Sequence, residues 1–420
     1  MNIALYGISR CGKNYLIDHL LDNINGKVAK TIFHVNGYES LNKLSHNEYG
    51  IPLNETNENQ KNHLRQMFHD ELVALKNGYK HKIVDGHFCF CKNESFEIAF
   101  TDKDRDAYDI FFYLDTPANV IIKYANLDAN KKDVAFMSED KIDKWKEFEM
   151  QSLRKICLAN NKEFVVLDND IDDCTDFFEE ILLETHDILL DSKDIAKHII
   201  CKHKELISKY KKIVILDCDR TISNNDTTYD FCASMNIDKN KLKKIFSGEY
   251  YSAYQFFRVA KLYAEKDLQL YEYASDHASK TAILNKPLIE DVKHNGDAYL
   301  SIGITSGILR TWEKIQEEYK FPNIIVGGSN LETDDFIVSR AVKFYLIKFL
   351  RESGKYVIAV GDSMVDMDML NEADKSFIVA QEKINETIKN YLLNTKTEMM
   401  QLEYSELYYE DVPMKRSLFL

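Results

Sequence analysis

Two carboxylates, Asp217 and Asp219, stand one residue apart and are followed by Thr221 in the run Ile-Val-Ile-Leu-Asp-Cys-Asp-Arg-Thr that starts at Ile213. This pattern suits phosphoryl transfer through a covalent aspartyl intermediate, in which one carboxylate attacks phosphorus and the other shuttles a proton. The rival reading is a plain strand ending in an acidic turn, so the choice turns on what the rest of the chain brings to the same place.

Three further stretches supply partners. Tyr299 to Gly307 is an apolar run that ends in the hydroxyls of Thr305 and Ser306. Lys343 opens a helical pattern (Phe344, Leu346, Ile347, Leu350) and offers a point charge for a phosphate. Tyr356 to Asp368 is a third apolar run, ending in Gly-Asp with a second acid four residues later. If a helix starts there, Asp362 and Asp366 point the same way, as needed to hold Mg²⁺ through oxygen ligands. The aliphatic runs read as buried parallel strands, and open α/β sheets carry their chemistry at the carboxyl ends of such strands. Alternate side chains at a strand end face one side, so Asp217 and Asp219 can address one ligand.

Asp-x-Asp-x-Thr, Thr-Ser-Gly, a helical lysine and Gly-Asp-Ser-x-x-Asp, in this order, resemble the four motifs of the haloacid dehalogenase-like (HAD) phosphohydrolases, above all their phosphoserine phosphatase-like branch. The likeness covers about Lys212 to Asn390. It implies Asp217 as nucleophile, Asp219 as general acid and base, and Thr305 and Lys343 as holders of the phosphoryl group. It also implies Mg²⁺ among Asp217, the Asp219 backbone carbonyl and Asp362, with Asp366 supporting the metal site. Ser223 to Lys293, rich in aromatics, falls where this branch inserts a helical cap that closes over a small substrate. Arg258 is the candidate there for a substrate anion, weighed against a surface ion pair.

A second chemical centre opens the chain. Asn2 to Tyr6 is a short apolar strand, and Gly7-Ile8-Ser9-Arg10-Cys11-Gly12-Lys13-Asn14 follows ahead of an amphipathic helix. This is the phosphate-binding loop Gly-x4-Gly-Lys in its strand-loop-helix context. Backbone N–H groups converge on phosphate, the helix N-terminus adds its positive end, and Lys13 reaches the terminal phosphates. Asn14 stands where Ser or Thr normally meets Mg²⁺. Asp85, at the end of the strand from Lys82 to His87, sits as a Walker-B acid does.

The stretch from Met1 to Asp170 resembles the P-loop small-molecule kinases of the adenylate kinase group. The likeness implies ATP or another nucleoside triphosphate, held by Gly7, Arg10, Cys11, Gly12, Lys13, Asn14 and Asp85. Lids in that family carry arginines. Here Asn126 to Lys146 offers Lys131, Lys132, Lys141 and Lys144 and no arginine. Arg65 and Arg105 are candidates for an acceptor phosphate, weighed against ordinary surface arginines.

The 420 residues suffice for two or three domains, and 45% hydrophobic with 29% charged residues is a globular composition. The expected fold class is α/β, with two doubly wound parallel-sheet (Rossmann-like) domains, the second carrying the helical cap. The expected boundaries are 1–170, a helical connector at 171–211, 212–393 with the cap at about 223–293, and a tail at 394–420. A net charge of −14 makes nucleic acid a minority partner and anionic membrane an unsuitable one. The Lys- and His-rich stretch from Lys197 to Lys212 reads as a solvated connector. The eight scattered cysteines read as reduced thiols, and Cys89-Phe90-Cys91 lacks zinc-knuckle spacing. No signal-like start and no apolar run of membrane length leave the cytoplasm as the expected location.

The leading expectation is a phosphatase for a small phosphorylated metabolite, fused to an ATP-binding kinase-like module. One rival is an end-healing polynucleotide kinase/phosphatase, against which a helical cap and an acidic chain both weigh. The other is a nucleotide-binding module that transfers nothing, motivated by Asn14.

Overall fold

The computed structural model describes residues 1–75, 78–92, 95–127, 134, 137–183, 191–246, 251–379 and 402–405. The chain divides into two compact units, Met1–His186 and Asp187–Leu420. Both are α/β with parallel sheets, which is the expected fold class.

The first unit is built on strands β1 (Asn2–Tyr6), β2 (Ile32–Asn36), β3 (His81–Asp85), β6 (Ile110–Leu114) and β7 (Glu163–Leu167), in the order β2-β3-β1-β6-β7. Every pairing is parallel. Ile3, Ala4 and Leu5 on β1 and Phe111 and Phe112 on β6 are fully buried, as a strand covered on both faces requires. An antiparallel hairpin, β4 (Cys89–Lys92) with β5 (Ser95–Ile98), was not anticipated.

Two of the long helices between strands begin at side-chain caps. Asn57 and Gln60 form a reciprocal capping box for Glu58–Ala74, and Ser138 caps Glu139–Ala159. The helix Ile171–Leu182, expected as part of a connector, belongs to this unit. Its Phe177 and Phe178 are buried and their rings meet Phe112 at 6.2 and 4.5 Å.

The second unit is a six-stranded sheet: β8 (Lys212–Asp217), β9 (Tyr299–Thr305), β10 (Ile324–Gly327), β11 (Tyr356–Gly361), β12 (Lys375–Val379) and β13 (Leu402–Ser405). The order is β10-β9-β8-β11-β12-β13, again all parallel. The strand with the paired acids, β8, is therefore flanked by the two other strands whose ends were expected to carry chemistry. Helix Ser192–Lys202, also expected in the connector, buries Ile195, Ala196 and Ile199 in this unit, and Ser192 Oγ meets Ser339 Oγ at 3.2 Å. Part of the expected tail is the edge strand β13. Residues 380–393, the end of the expected second domain, lie outside the described residues.

Between β8 and β9 the chain inserts the helices Thr227–Ser234, Lys239–Ile245, Ala253–Ala264 and Leu268–Thr281. Phe231, Met235, Tyr263, Tyr271 and Ala274 give this insertion its own core, which also takes in Ile308 beyond β9. The neck is closed by an antiparallel bridge between Ser223 and Leu284. Helix Lys286–His294 lies beyond that neck. It sends Leu288, Ile289 and Val292 into the sheet core, so the insertion ends earlier than the expected residue 293.

Candidate functional site

At the carboxyl end of β8, Asp217 is 7% exposed and accepts a hydrogen bond from Lys343 Nζ at 2.5 Å. Lys343, on the helix Arg340–Glu352, also donates to Asp366 Oδ1 at 2.8 Å. One carboxylate oxygen each of Asp217, Asp362 and Asp366 lie within 4.8 Å of one another. Burial, and then the neighbouring Asp366 carboxylate, push Asp217 up to about 8 against the pull of Lys343. Burial raises Asp362 as well, with Asp217 and Asp366 adding repulsion. Burial pulls Lys343 down, but the two carboxylates beside it hold it above its ordinary value.

This cluster of hard oxygen donors, crowded around a single ammonium, fits a small divalent cation. Asp366 is largely committed elsewhere. Its Oδ2 accepts from the backbone N–H of Asp362 and Ser363 at 3.2 and 3.0 Å and from Ser363 Oγ at 2.8 Å. It therefore shapes the loop after β11 and braces Lys343, leaving Asp217 and Asp362 as the carboxylates open to a metal.

Asp219 follows in a wide helical turn, Cys218–Ile222, in which Asp219 itself is extended and Arg220 is left-handed (φ 59°). Its Oδ1 accepts from the N–H and the hydroxyl of Thr227 at 2.6 and 2.7 Å, and its Oδ2 from Trp312 Nε1 at 3.4 Å. Burial raises its pKa against those donors. Asp219 and Thr305 meet around Gly307, where a Cβ would lie 2.8 Å from Asp219 Oδ2 and 3.2 Å from Thr305 Oγ1. Only glycine allows that approach. The hydroxyls of Thr221 and Ser306 are buried with no hydrogen-bond partner among the described residues, so they are available to an oxyanion or a water.

The acidic residues expected together are thus together. Thr227 and Trp312, which fix the Asp219 carboxyl, were not foreseen. The signal for Thr227 was present in Asn-Asn-Asp-Thr-Thr, a helix-capping run in which Asp226 caps Thr227–Ser234. The pair Arg340 and Asp368 was also missed. It is buried and bidentate, with Nε to Oδ2 at 2.6 Å and Nη2 to Oδ1 at 3.0 Å. Arg258 lies 9% exposed in the insertion, its guanidinium 5.5 Å from the Tyr254 ring centroid.

In the first unit, Arg10, Cys11, Gly12, Lys13, Asn14 and Asp85 all line one cleft of about 620 Å³. Gly12 begins the helix Lys13–Asn23. Lys13 Nζ donates to the carbonyls of Gly7 and Ile8 at 2.6 and 3.2 Å. Asp85 Oδ1 is held by His34 Nε2 at 2.9 Å. Thr116, at the end of β6, donates to Cys11 O at 2.6 Å and so pins the loop.

The acceptor arginines do not join them. Arg65 donates to Asn62 at 2.7 Å, and Arg105 pairs with Asp102 and Asp106, both on the surface. Of the lid lysines, Lys131 and Lys132 lie outside the described residues, and Lys144 pairs with Asp140 at 2.8 Å. Lys146, in the same helix as Lys144, is buried against Asp115 at 2.8 Å.

No family model matches the sequence, and no curated protein matches it. Among solved structures, the chain is similar to an apo phosphoserine phosphatase, at 20% identity over 40% of this chain and 86% of that one, with a TM-score of 0.32. It is similar to shikimate kinase from Bacteroides thetaiotaomicron, at 13% identity over 43% of this chain and 98% of that one, with a TM-score of 0.29. A chain of a Pnkp1/Rnl/Hen1 RNA repair complex aligns over 90% of this chain and 95% of its own, at 16% identity and a TM-score of 0.25. Likenesses at these scores carry no functional argument. No helix among the described residues is long and apolar enough to cross a membrane.

Proposed function

We propose that the second unit is a Mg²⁺-dependent phosphatase for a small phosphomonoester, and that the first binds ATP or another nucleoside triphosphate as a phosphoryl donor. The observation that carries the first half is the Lys343 ammonium, held between Asp217 and Asp366 at 2.5 and 2.8 Å within a three-carboxylate cluster. Such a cluster is costly to bury unless cations compensate it, and an arrangement of this kind is kept for chemistry more readily than for stability.

In this reading Asp217 Oδ attacks phosphorus in line and forms an aspartyl-phosphate, while the ester oxygen leaves with a proton from Asp219. Thr227 and Trp312 hold that carboxyl in place. Asp219 then takes a proton from water as the water attacks the aspartyl-phosphate, regenerating Asp217. Lys343, Thr305 and the free hydroxyl of Ser306 neutralise the equatorial oxygens. Asp217, Asp362 and the Asp219 carbonyl would hold Mg²⁺, which when bound supplies further neutralisation of phosphoryl charge. The helical insertion, rooted at Ile308 beside Thr305 to Gly307, favours a small substrate over a bulky one.

The test is phosphate release from a panel of sugar phosphates, phosphoamino acids, mononucleotides and 3′-phosphorylated oligonucleotides, with and without EDTA. Release from a small ester, stopped by EDTA and restored by Mg²⁺, is the expected result. Release from the oligonucleotides alone would replace the small-substrate reading with end repair.

A further inference from the structure

The glycine-loop cleft runs across the carboxyl ends of all five strands of its sheet. The loop follows the central strand β1, and its phosphate-binding groups sit in the middle. On one side, after β6 and β7, the lining includes Tyr124, Asn169 and Ile171. On the other, after β2 and β3, it includes Asn36, Tyr38, Glu39, Asp85 and His87. A ligand whose phosphates rest on the loop fills one arm and leaves the other for a second molecule.

The two arms differ in charge. The arm over β2 and β3 carries two carboxylates, Asp85 and Glu39, and no Lys or Arg among its lining residues. It repels a triphosphate, so the donor belongs over β6 and β7. By the same argument it repels a phosphorylated acceptor, and the two arginines considered for that role are held elsewhere, by Asn62 and by Asp102 and Asp106.

The arms also share a feature. Among the described residues of Met1–His186, four tyrosines are well exposed, and three of them rim this cleft: Tyr15 at 63%, Tyr38 at 58% and Tyr124 at 44%. The fourth, Tyr79, stacks on Phe33 at 5.2 Å. Tyr15 belongs with the donor arm, since its ring lies 6.2 Å from His19, which reaches Thr175 on Ile171–Leu182. Tyr38 stands on the opposite arm. Gly37 before it packs so closely that a Cβ would lie 2.5 Å from Asp85 O, which fixes the start of that helix against the end of β3. Exposed aromatic rings at the rim of a ligand cleft are stacking platforms for planar rings.

We infer, building on the reading of the cleft as a nucleoside triphosphate site, that the acceptor seated over β2 and β3 is an uncharged, hydroxyl-bearing compound with a planar ring, of the nucleoside type, stacked on Tyr38. The acceptor oxygen bonds to the γ-phosphorus and the bond to the β,γ-bridging oxygen breaks. The nucleoside diphosphate leaves, and the hydroxyl proton passes to a carboxylate of that arm, Asp85 or Glu39. His34 keeps Asp85 turned toward the cleft.

The experiment uses the full chain. Binding of a non-hydrolysable ATP analogue with Mg²⁺ is measured first by calorimetry. ADP release is then followed with the common nucleosides, with ribose and serine as ring-poor alcohols, and with a 5′-hydroxyl oligonucleotide. The expected result is turnover with one or more nucleosides, a KM about 5- to 100-fold higher in Tyr38→Ala, recovery in Tyr38→Phe, and analogue binding unchanged in both. Equal turnover of ribose or serine, an unaltered KM in Tyr38→Ala, activity on the oligonucleotide alone, or analogue binding without any turnover would each overturn the inference while sparing the nucleotide site. Failure of the analogue to bind would remove both.

Discussion

On the proposed reading, the two sites would hold a phosphoryl group by opposite means. In the second unit the charge is carried by side chains set in place in advance, with buried Asp217 and Asp366 bound to Lys343, which is 1% exposed, and half-buried Asp362 beside them. In the first unit the cradle is backbone, lysine and a broad cleft, and Lys13 rests on the carbonyls of its own loop. The contrast teaches where each unit is vulnerable. A buried cluster of like charges depends on every partner and is sensitive to protons and metal. An open backbone cradle depends on few side chains and mainly loses affinity when one is removed.

Asp217→Asn strikes the buried site at its proposed nucleophile. The amide keeps the shape and removes the nucleophile, so phosphate release should fall by about 10⁴-fold or more, on the scale seen for other covalent nucleophiles. Near-parental turnover would end the assignment. The second-largest effect should be on stability. Arg340 and Asp368 are 5% and 8% exposed and bound to each other twice. Arg340→Ala strands a buried carboxylate and should cost roughly 3–5 kcal/mol in denaturant unfolding of the second unit. A loss under 1 kcal/mol would show that water reaches Asp368 more readily than its burial implies.

How much of this was legible beforehand follows from the same physics. Strand ends were readable because β-branched runs are abrupt and the acids stand at their ends, so Asp217 and Asp362 could be named from their places and Lys343 from the helical pattern it opens, while their particular roles were implied by the resemblance to the HAD phosphohydrolases. The bracing of Asp366 was less legible, because its bonds to the N–H groups of Asp362 and Ser363 depend on the turn after β11 and not on residue type. Thr227 and Trp312 lie 8 and 93 residues from Asp219, and no short-range pattern joins them. The connector was misread for a different reason. Its lysines and histidines hide an apolar face at Ile195, Ala196 and Ile199 that only packing reveals. The extent of the insertion failed similarly: Lys286–His294 is as helical in pattern as its predecessors, and only the Ser223–Leu284 bridge marks the neck.

For the open cradle, the comparison predicts a smaller and more local loss. If the glycine loop binds nucleotide as proposed, Lys13→Ala removes one charge-assisted contact to phosphate, so affinity for the ATP analogue should drop roughly 10- to 100-fold. Phosphate release by the second unit should stay at the parental rate, and calorimetry together with the release assay checks both. An unchanged affinity would mean that the glycine loop does not meet phosphate.

The smallest expected effect is also the most specific to buried charge. Asp226 faces Asp219, and burial, with that neighbour's repulsion, pushes it up to about 7, while Arg220 Nε at 3.7 Å pulls the other way. A carboxyl whose folded pKa lies above its unfolded value of 3.8 retains its proton in the folded protein where the unfolded chain has lost it. Its contribution to stability is therefore fully present below about pH 4 and is lost as pH rises toward 7. Asp226→Asn removes the titration but keeps the helix cap, because an asparagine oxygen can accept from Thr228 N as Asp226 Oδ1 does at 3.1 Å. The variant should match the parent near pH 4 and exceed it at pH 8 by ~2–4 °C in Tm. A gain at pH 4 as large as that at pH 8 would mean that the benefit comes from packing, and that Asp226 is no part of the charge crowding that sets this site apart from the open cleft.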